Sequence, residues 1–166
     1  MIQLRSGIVL MAALLGAAAC GQATLGPQQA VSAPVERADA TSIPDFRPHE
    51  GQTYAAFAGE PAMQRYALNE LGLTDVERAR FSHSMSTAAP GLIAAGGGAE
   101  ALIFSGCAPS GCLEGLSVVA VDVGTGDVFI GVSDQHGAEE LIPNDRLEAL
   151  LRLTSPSRTW DDPVRP

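Results

Sequence analysis

The residues best suited to chemistry in this sequence lie around Cys107 and Cys112, which four residues separate. In an oxidising compartment, two thiols so close together pair with each other by default, and their disulfide closes a small ring. Pro109 restricts the backbone inside this ring, while Gly106 and Gly111 permit sharp turns on either side. A rigid loop loses less entropy on binding than a flexible loop does. The segment therefore predicts a recognition loop with the contact residues Ala108, Pro109, Ser110 and Gly111.

Ser110 also raises the alternative of a serine nucleophile, with His83 or His136 as its base and Asp134 as the orienting acid. A serine hydrolase needs such a relay together with an oxyanion site. The sequence contains no Gly-x-Ser-x-Gly elbow. A serine inside a disulfide ring is more simply explained as a small loop residue. We therefore predict that the protein is not an enzyme.

The sequence shows no ligand spacing typical of a metal site. The ring cysteines lack a second spaced pair, and the three histidines are scattered along the chain. The segment from Asp122 to Asp127 contains acids and glycines, as calcium loops do, but it lacks their alternating acids and distal glutamate. A tight hairpin turn accounts for this segment. We therefore predict neither a metal nor a cofactor.

The third cysteine, Cys20, follows a single cation and a short apolar stretch that ends in small residues. This stretch is too short for a permanent transmembrane helix, so residues 1–19 are predicted to be a cleaved signal peptide. Small residues directly before a cysteine resemble the lipobox of bacterial lipoproteins, in which the thiol carries lipid. Gly21 resembles the second residue of lipoproteins sorted to the outer membrane, which implies a periplasm-facing anchor there. The alternative is an ordinary secretory signal with a coincidental cysteine.

The composition restricts the classes of partner. The chain has 166 residues, with 10 cations against 19 acids and a formal net charge of -9. This length suits one ordinary domain. Since no basic run is present, the chain offers no surface for a phosphate backbone, and nucleic-acid binding is not expected. An acidic protein of this kind attracts cationic partners.

Local patterns divide the rest of the chain into a tether, a folded domain and a tail. Residues 20–58 show no sustained apolar period, which predicts a flexible, lipid-anchored tether. The domain is predicted at 59–155 and the tail at 156–166, where the sequence does not decide whether Trp160 packs on the domain. Apolar spacing, a capping box at Thr74 and glycine positions predict helices at 61–71, 74–81 and 145–153. Predicted strands cover 92–95, 99–105, 116–123 and 128–132, the third of them central and buried on both faces.

The order of these features resembles one family. The predicted elements are, in order, a strand, a ring closed by Cys107 and Cys112 with Pro109 as its second inner residue, a strand hairpin and a final helix. This order resembles the Ivy family, the periplasmic inhibitors of vertebrate (chicken-type) lysozyme. The likeness covers roughly residues 90–153. It implies an α+β fold in which an antiparallel sheet of about four to five strands is flanked by short helices and the disulfide-closed loop protrudes from the sheet.

The resemblance also implies a function. In that family the loop histidine enters the lysozyme cleft and hydrogen-bonds the catalytic carboxylates. The usual ring is Cys-Lys-Pro-His-Asp-Cys, so Ala108 takes the lysine place, Ser110 the histidine place and Gly111 the aspartate place. Because a serine hydroxyl is neutral and offers one donor, we expect weak inhibition or a different glycosidase. The predicted function is a lipoprotein that binds a lysozyme-type glycosidase through this loop. The alternative is a non-enzymatic envelope lipoprotein that binds another protein or a glycan.

Overall fold

The computed structural model describes residues 42–163, in which six strands form one antiparallel sheet. The strands are β1 (Thr87–Ala88), β2 (Leu92–Gly96), β3 (Ala99–Ala108), β4 (Gly111–Asp122), β5 (Val128–Asp134) and β6 (Gly137–Ile142). The α-helices are α1 (Tyr54–Gly59), α2 (Asp75–Ser84) and α3 (Asp145–Thr154), and two 3-10 helices cover Arg47–His49 and Pro61–Tyr66. Strands β3 to β6 pair in chain order, while β1 and β2 both pair with β3. The predicted α+β class and antiparallel sheet are confirmed.

Strand β4 lies at the centre of the sheet and is buried on both faces. Val118, Val119, Ala120 and Val121 are fully buried, although they alternate between the two faces. A strand covered on both sides carries a nearly continuous apolar run, and this run is what predicted a central strand. Strand β5 also alternates between the two faces, because Ile130 and Phe129 belong to cores on opposite sides of the sheet.

One face of the sheet is covered by the segment that precedes β1. Phe57 packs against Phe104 of β3 with a ring-centroid distance of 5.0 Å, and Phe46 packs edge-on against Tyr66 at 5.3 Å. These aromatic rings are buried together with Tyr54. The first core is therefore built mainly from short helical elements whose aromatic side chains lie on the sheet.

The opposite face is covered by α3 and by the tail. Asn144 caps α3 by accepting from the amide of Leu147, and the helix buries its apolar stripe on the sheet. Trp160 is buried and meets Phe129 with a centroid distance of 5.6 Å. The question that the sequence left open is therefore answered: the tail packs on the domain at Trp160.

The predicted tether extends too far into the chain. Phe46, Tyr54 and Phe57 all fall within the predicted span of 20–58, yet they are core residues. Their elements are a single 3-10 turn and a six-residue helix, which are too short to show an apolar period. The boundary at residue 59 is thus wrong, because the described domain already includes residue 46.

The first predicted helix, at 61–71, is also wrong in type and length. It is a 3-10 helix over Pro61–Tyr66, in which Met63 and Tyr66 are buried at the three-residue spacing of that helix. Gly72 does have the expected left-handed backbone, with φ of 73°. The second helix is confirmed with its capping box between Thr74 and Glu77, but it continues to Ser84 and includes His83 in its last turn.

The sheet has two strands more than the four that local patterns predicted, namely β1 and β6. Glu139 and Glu140, where local patterns predict no strand, belong to β6, which pairs with β5. The strand is exposed over its first half and contains acids on both of its faces. Edge strands commonly carry charged side chains, which prevent pairing with other chains and weaken the alternating apolar signal.

Glu140 provides a test of the pH dependence of stability. Burial raises the pKa of Glu140 above its usual value, and the neighbouring Glu148 carboxylate raises it further. The folded state therefore favours the protonated acid, so this residue supports folding below the unfolded pKa and loses that support as pH rises through the folded pKa. We expect Glu140→Gln to stabilise the protein at neutral pH by less than about 1 kcal/mol, and to lose this advantage in acid.

Urea unfolding across the acidic-to-neutral range measures this effect. Glu70→Gln is the matched control, because Glu70 is exposed and its carboxylate accepts from the side-chain amide of the neighbouring Asn69. An advantage of Glu140→Gln that is equal at all pH values would contradict the explanation.

Candidate functional site

The predicted recognition loop is the turn of the β3–β4 hairpin. Cys107 and Cys112 form the predicted disulfide, with their Cα atoms 4.5 Å apart. Ala108 pairs with Gly111, so Pro109 and Ser110 alone form the exposed turn. Gly111 has φ of 120°, a conformation that favours glycine. Ala108 is 1% exposed and cannot contact a partner directly, which corrects its place in the predicted contact set.

Strand β4 bulges away from β3 between Gly111 and Leu116, next to the disulfide. Cys107 pairs with Leu116, but the next residue of β3, Ala108, pairs with Gly111. The four residues of β4 from 112 to 115 therefore have no partner on β3. Bulges bend a strand and redirect its side chains. Here Leu113 is fully exposed and Glu114 is exposed beside it.

Sequence reasoning missed Leu113 and Glu114 as functional candidates. The predicted strand began at Leu116, where regular apolar alternation starts, but β4 begins at Gly111. One signal could have found them: the segment between Cys112 and Leu116 belongs neither to the ring nor to a predicted strand, and it contains an apolar residue, Leu113, next to an acid. We define the hairpin tip as Pro109, Ser110, Leu113 and Glu114.

The C-terminal end of α2 holds the base of this hairpin. A Cβ atom at Gly106 would lie 2.9 Å from the Met85 Cα, and one at Gly115 would lie 2.6 Å from the Ser84 hydroxyl. The Ser117 hydroxyl of β4 donates to the Phe81 carbonyl at 3.1 Å. These contacts require glycine at both positions and fix the hairpin against the helix.

A groove of ≈ 460 Å³ runs beside the tip. Its walls come from α2, from the bulge and from the β5–β6 turn, and the lining residues include Arg80, His83, Leu113, Glu114 and His136. The Arg80 guanidinium binds Asp134 with its Nε at 2.8 Å from Oδ2 and its Nη2 at 3.0 Å from Oδ1, and it also contacts Glu139. This cation holds the pKa of Asp134 below its usual range. The ion pairs link α2 to the β5–β6 turn and complete the groove.

The structure does not assemble the serine relay that we considered. The Ser110 hydroxyl donates to Glu114 Oε2 at 2.6 Å, and Asp134 accepts from Arg80 and from the His136 backbone amide. Within residues 42–163, no hydrogen bond joins Ser110 to a histidine. Ser110 and Asp134 therefore have other partners here.

The segment from Asp122 to Asp127 is the tight β4–β5 turn that the glycines predicted. Asp122 Oδ1 accepts from the amides of Gly124 and Thr125, and the Asp122 carbonyl accepts from the amide of Gly126. The buried Asp122 carboxylate also lies 3.2 Å from Arg146 of α3. Its oxygens thus have structural partners in the turn and in the helix.

Residues 42–163 contain neither a candidate metal cluster nor a membrane-spanning helix. Across residues 42–163, no three His, Cys, Asp or Glu side chains are grouped so that they could hold a metal ion. The helices in the same range are too short or too polar to cross a bilayer. Cys20 and the predicted signal peptide at 1–19 lie outside the described residues.

The resemblance to the lysozyme inhibitors stays a prediction from the residues of the hairpin. No protein-family model, no curated protein and no solved structure matches this chain. The hairpin tip and its groove are therefore the features of this chain that bear on its function.

Proposed function

We propose that this protein is a non-enzymatic envelope lipoprotein, anchored through Cys20 at the outer membrane, that binds a lysozyme-type glycosidase with its hairpin tip. The observation that carries the proposal is Leu113, a fully exposed leucine beside the Cys107–Cys112 disulfide. Large apolar side chains favour burial, and a partner that covers this leucine gains about 1.5–3 kcal/mol. The exposed leucine therefore supports the tip as a binding surface.

Rigidity supports the same surface. The disulfide, the β3–β4 pairing and the contacts of α2 with Gly106 and Gly115 hold the tip before any partner arrives. A preformed binding element loses little conformational entropy on association, so more of the contact energy appears as affinity. The acidic chain, with its net charge of -9, also attracts a cationic lysozyme and speeds the encounter.

The tip predicts weak inhibition of the bound enzyme. Ser110 occupies the place that the resemblance assigns to the inhibitory histidine, and its hydroxyl donates to Glu114. A hydroxyl that is already bonded within the tip offers little to a pair of catalytic carboxylates. We therefore expect this protein to bind the glycosidase and to inhibit it only weakly.

Binding to chicken-type lysozyme, measured by calorimetry at low salt, tests the proposal. We expect Leu113→Ala to weaken binding by about 10-fold, which corresponds to about 1.4 kcal/mol. The pair Cys107→Ser with Cys112→Ser should also weaken binding, because the tip becomes flexible. Ser110→His should strengthen inhibition of cell-wall lysis. The matched control is Val76→Ala, which truncates an exposed apolar residue of α2 outside the groove lining.

Two results would contradict the proposal. One is the absence of binding at micromolar protein, which leaves another protein or a glycan as the partner. The other is lysozyme binding that Leu113→Ala and the paired cysteine variant leave unchanged, because the contact would then lie elsewhere on the molecule.

A further inference from the structure

We propose that the groove beside the hairpin tip binds a basic side chain, an arginine or a lysine, of a cationic protein partner. Glu114 pairs with the cation and Leu113 covers the aliphatic part of the same side chain. This inference rests on the proposed function, in which the tip is the binding element, and it names the chemistry that the tip recognises.

The bulge is what brings the two side chains to one groove. In a regular strand, consecutive residues point to opposite faces of the sheet. Leu113 and Glu114 are consecutive, yet both line the groove of ≈ 460 Å³. An apolar surface next to a carboxylate is complementary to arginine or lysine, whose long methylene stems end in a cation.

Glu114 is also held ready for such a cation. Its Oε2 accepts the Ser110 hydroxyl at 2.6 Å, and a carboxylate has further lone pairs for a second donor. None of the salt bridges formed within residues 42–163 includes Glu114. The Ser110 bond and the nearby disulfide restrict the carboxylate, which lowers the entropy lost when a partner binds.

The other charges of the groove leave it anionic. Arg80 is the cation of the lining, and its guanidinium is bonded to Asp134 and Glu139. His83 and His136 complete the wall. Because the Arg80 guanidinium is already paired, it leaves the charge of Glu114 uncompensated, and the groove attracts a positive side chain.

This chemistry differs from the insertion mode that the family resemblance implies. A histidine at the tip would donate to the catalytic carboxylates of a glycosidase, but Glu114 gives this tip a negative charge beside Ser110. Carboxylates placed a few ångströms apart repel each other. The tip therefore contacts basic residues on the surface of its partner and not the catalytic acids.

A small probe tests the inference without a protein partner. We expect butylguanidinium at millimolar concentration to shift the backbone amide NMR signals of residues 112–115 in the full chain, and neutral butylurea to leave them in place. Glu114→Gln should abolish the shifts, and Leu113→Ala should reduce them severalfold. Glu70→Gln, which removes an exposed carboxylate outside the groove lining, should leave the response unchanged. Equal shifts with butylurea, or full shifts in Glu114→Gln, would overturn the inference.

A second measurement separates this inference from the proposed function. With chicken-type lysozyme as the probe, we expect Glu114→Gln to weaken binding by about 10-fold at low salt and by less at high salt. Binding that Leu113→Ala weakens but Glu114→Gln does not would overturn the basic-side-chain inference and keep the proposed function. A failure of lysozyme to bind, with the butylguanidinium response intact, would reject the lysozyme partner and keep the inference.

Discussion

Replacing Trp160 by alanine is expected to destabilise the protein by about 3–5 kcal/mol, the range of large-to-small core substitutions. The indole is 5% exposed and packs edge-on against Phe129 at a centroid distance of 5.6 Å. Its six-membered ring also covers Gly131, where an added Cβ would lie 2.5 Å from a ring carbon. Removing the indole leaves a cavity over β5.

Urea unfolding measures the loss, and the single tryptophan of the chain reports the wild-type transition by fluorescence. Circular dichroism then follows the variant. Val76→Ala, at an exposed position of α2, is expected to change stability by less than about 0.5 kcal/mol. A loss below about 1 kcal/mol for Trp160→Ala would show that the tail does not stabilise the domain in solution.

Gly131 allows the same contact to be tested from the sheet side. Gly131→Ala should displace the indole and destabilise the wild-type chain, because its Cβ would overlap the ring. In the Trp160→Ala background the same substitution should cost much less, so the two effects are not additive. Additive effects would mean that Gly131 matters for a reason other than the tryptophan.

Gly106→Ala is expected to destabilise the protein by about 1–3 kcal/mol and to shift the hairpin relative to α2. A Cβ there would lie 2.5 Å from the Met85 sulfur, 2.9 Å from its Cα and 3.2 Å from its carbonyl oxygen. The sulfur can move, but two of these three contacts are with backbone. The end of α2 must therefore move away from β3. This movement takes place beside the disulfide, because Gly106 immediately precedes Cys107.

A second variant separates the side-chain contact from the backbone contacts. Met85→Ala should recover only part of the stability lost in Gly106→Ala, because the Cα and the carbonyl stay in place. Gly59→Ala is the control, since no atom outside its chain neighbours and its own helix backbone lies within 4 Å of the added Cβ. Full recovery by Met85→Ala, or an equal loss in Gly59→Ala, would contradict the backbone explanation.

The two substitutions also matter for function. Trp160 lies in the core on the α3 face of the sheet, whereas Gly106 lies at the base of the hairpin tip. We therefore expect Trp160→Ala protein that remains folded to keep its binding affinity. Gly106→Ala should weaken binding beyond its effect on stability, because it changes the position of the tip.

Much of the fold follows from local sequence signals. The capping box at Thr74, the cap at Asn144 and the doubly buried run of β4 each depend on residues within one element. The Cys107–Cys112 disulfide joins residues only five positions apart, so local spacing was enough to predict it. Backbone hydrogen bonding and side-chain period decide such elements, and both are visible in a short window of sequence.

The sequence by itself thus determined the α+β class, the central strand, the final helix and the disulfide ring. Tertiary structure alone decided that Phe46 and Phe57 belong to the core, that Trp160 covers Gly131, and that β6 completes the sheet. It also decided that Ala108 is buried while Leu113 and Glu114 share a groove. These outcomes depend on strand register and on contacts between residues far apart in the chain, whose energies no local pattern contains.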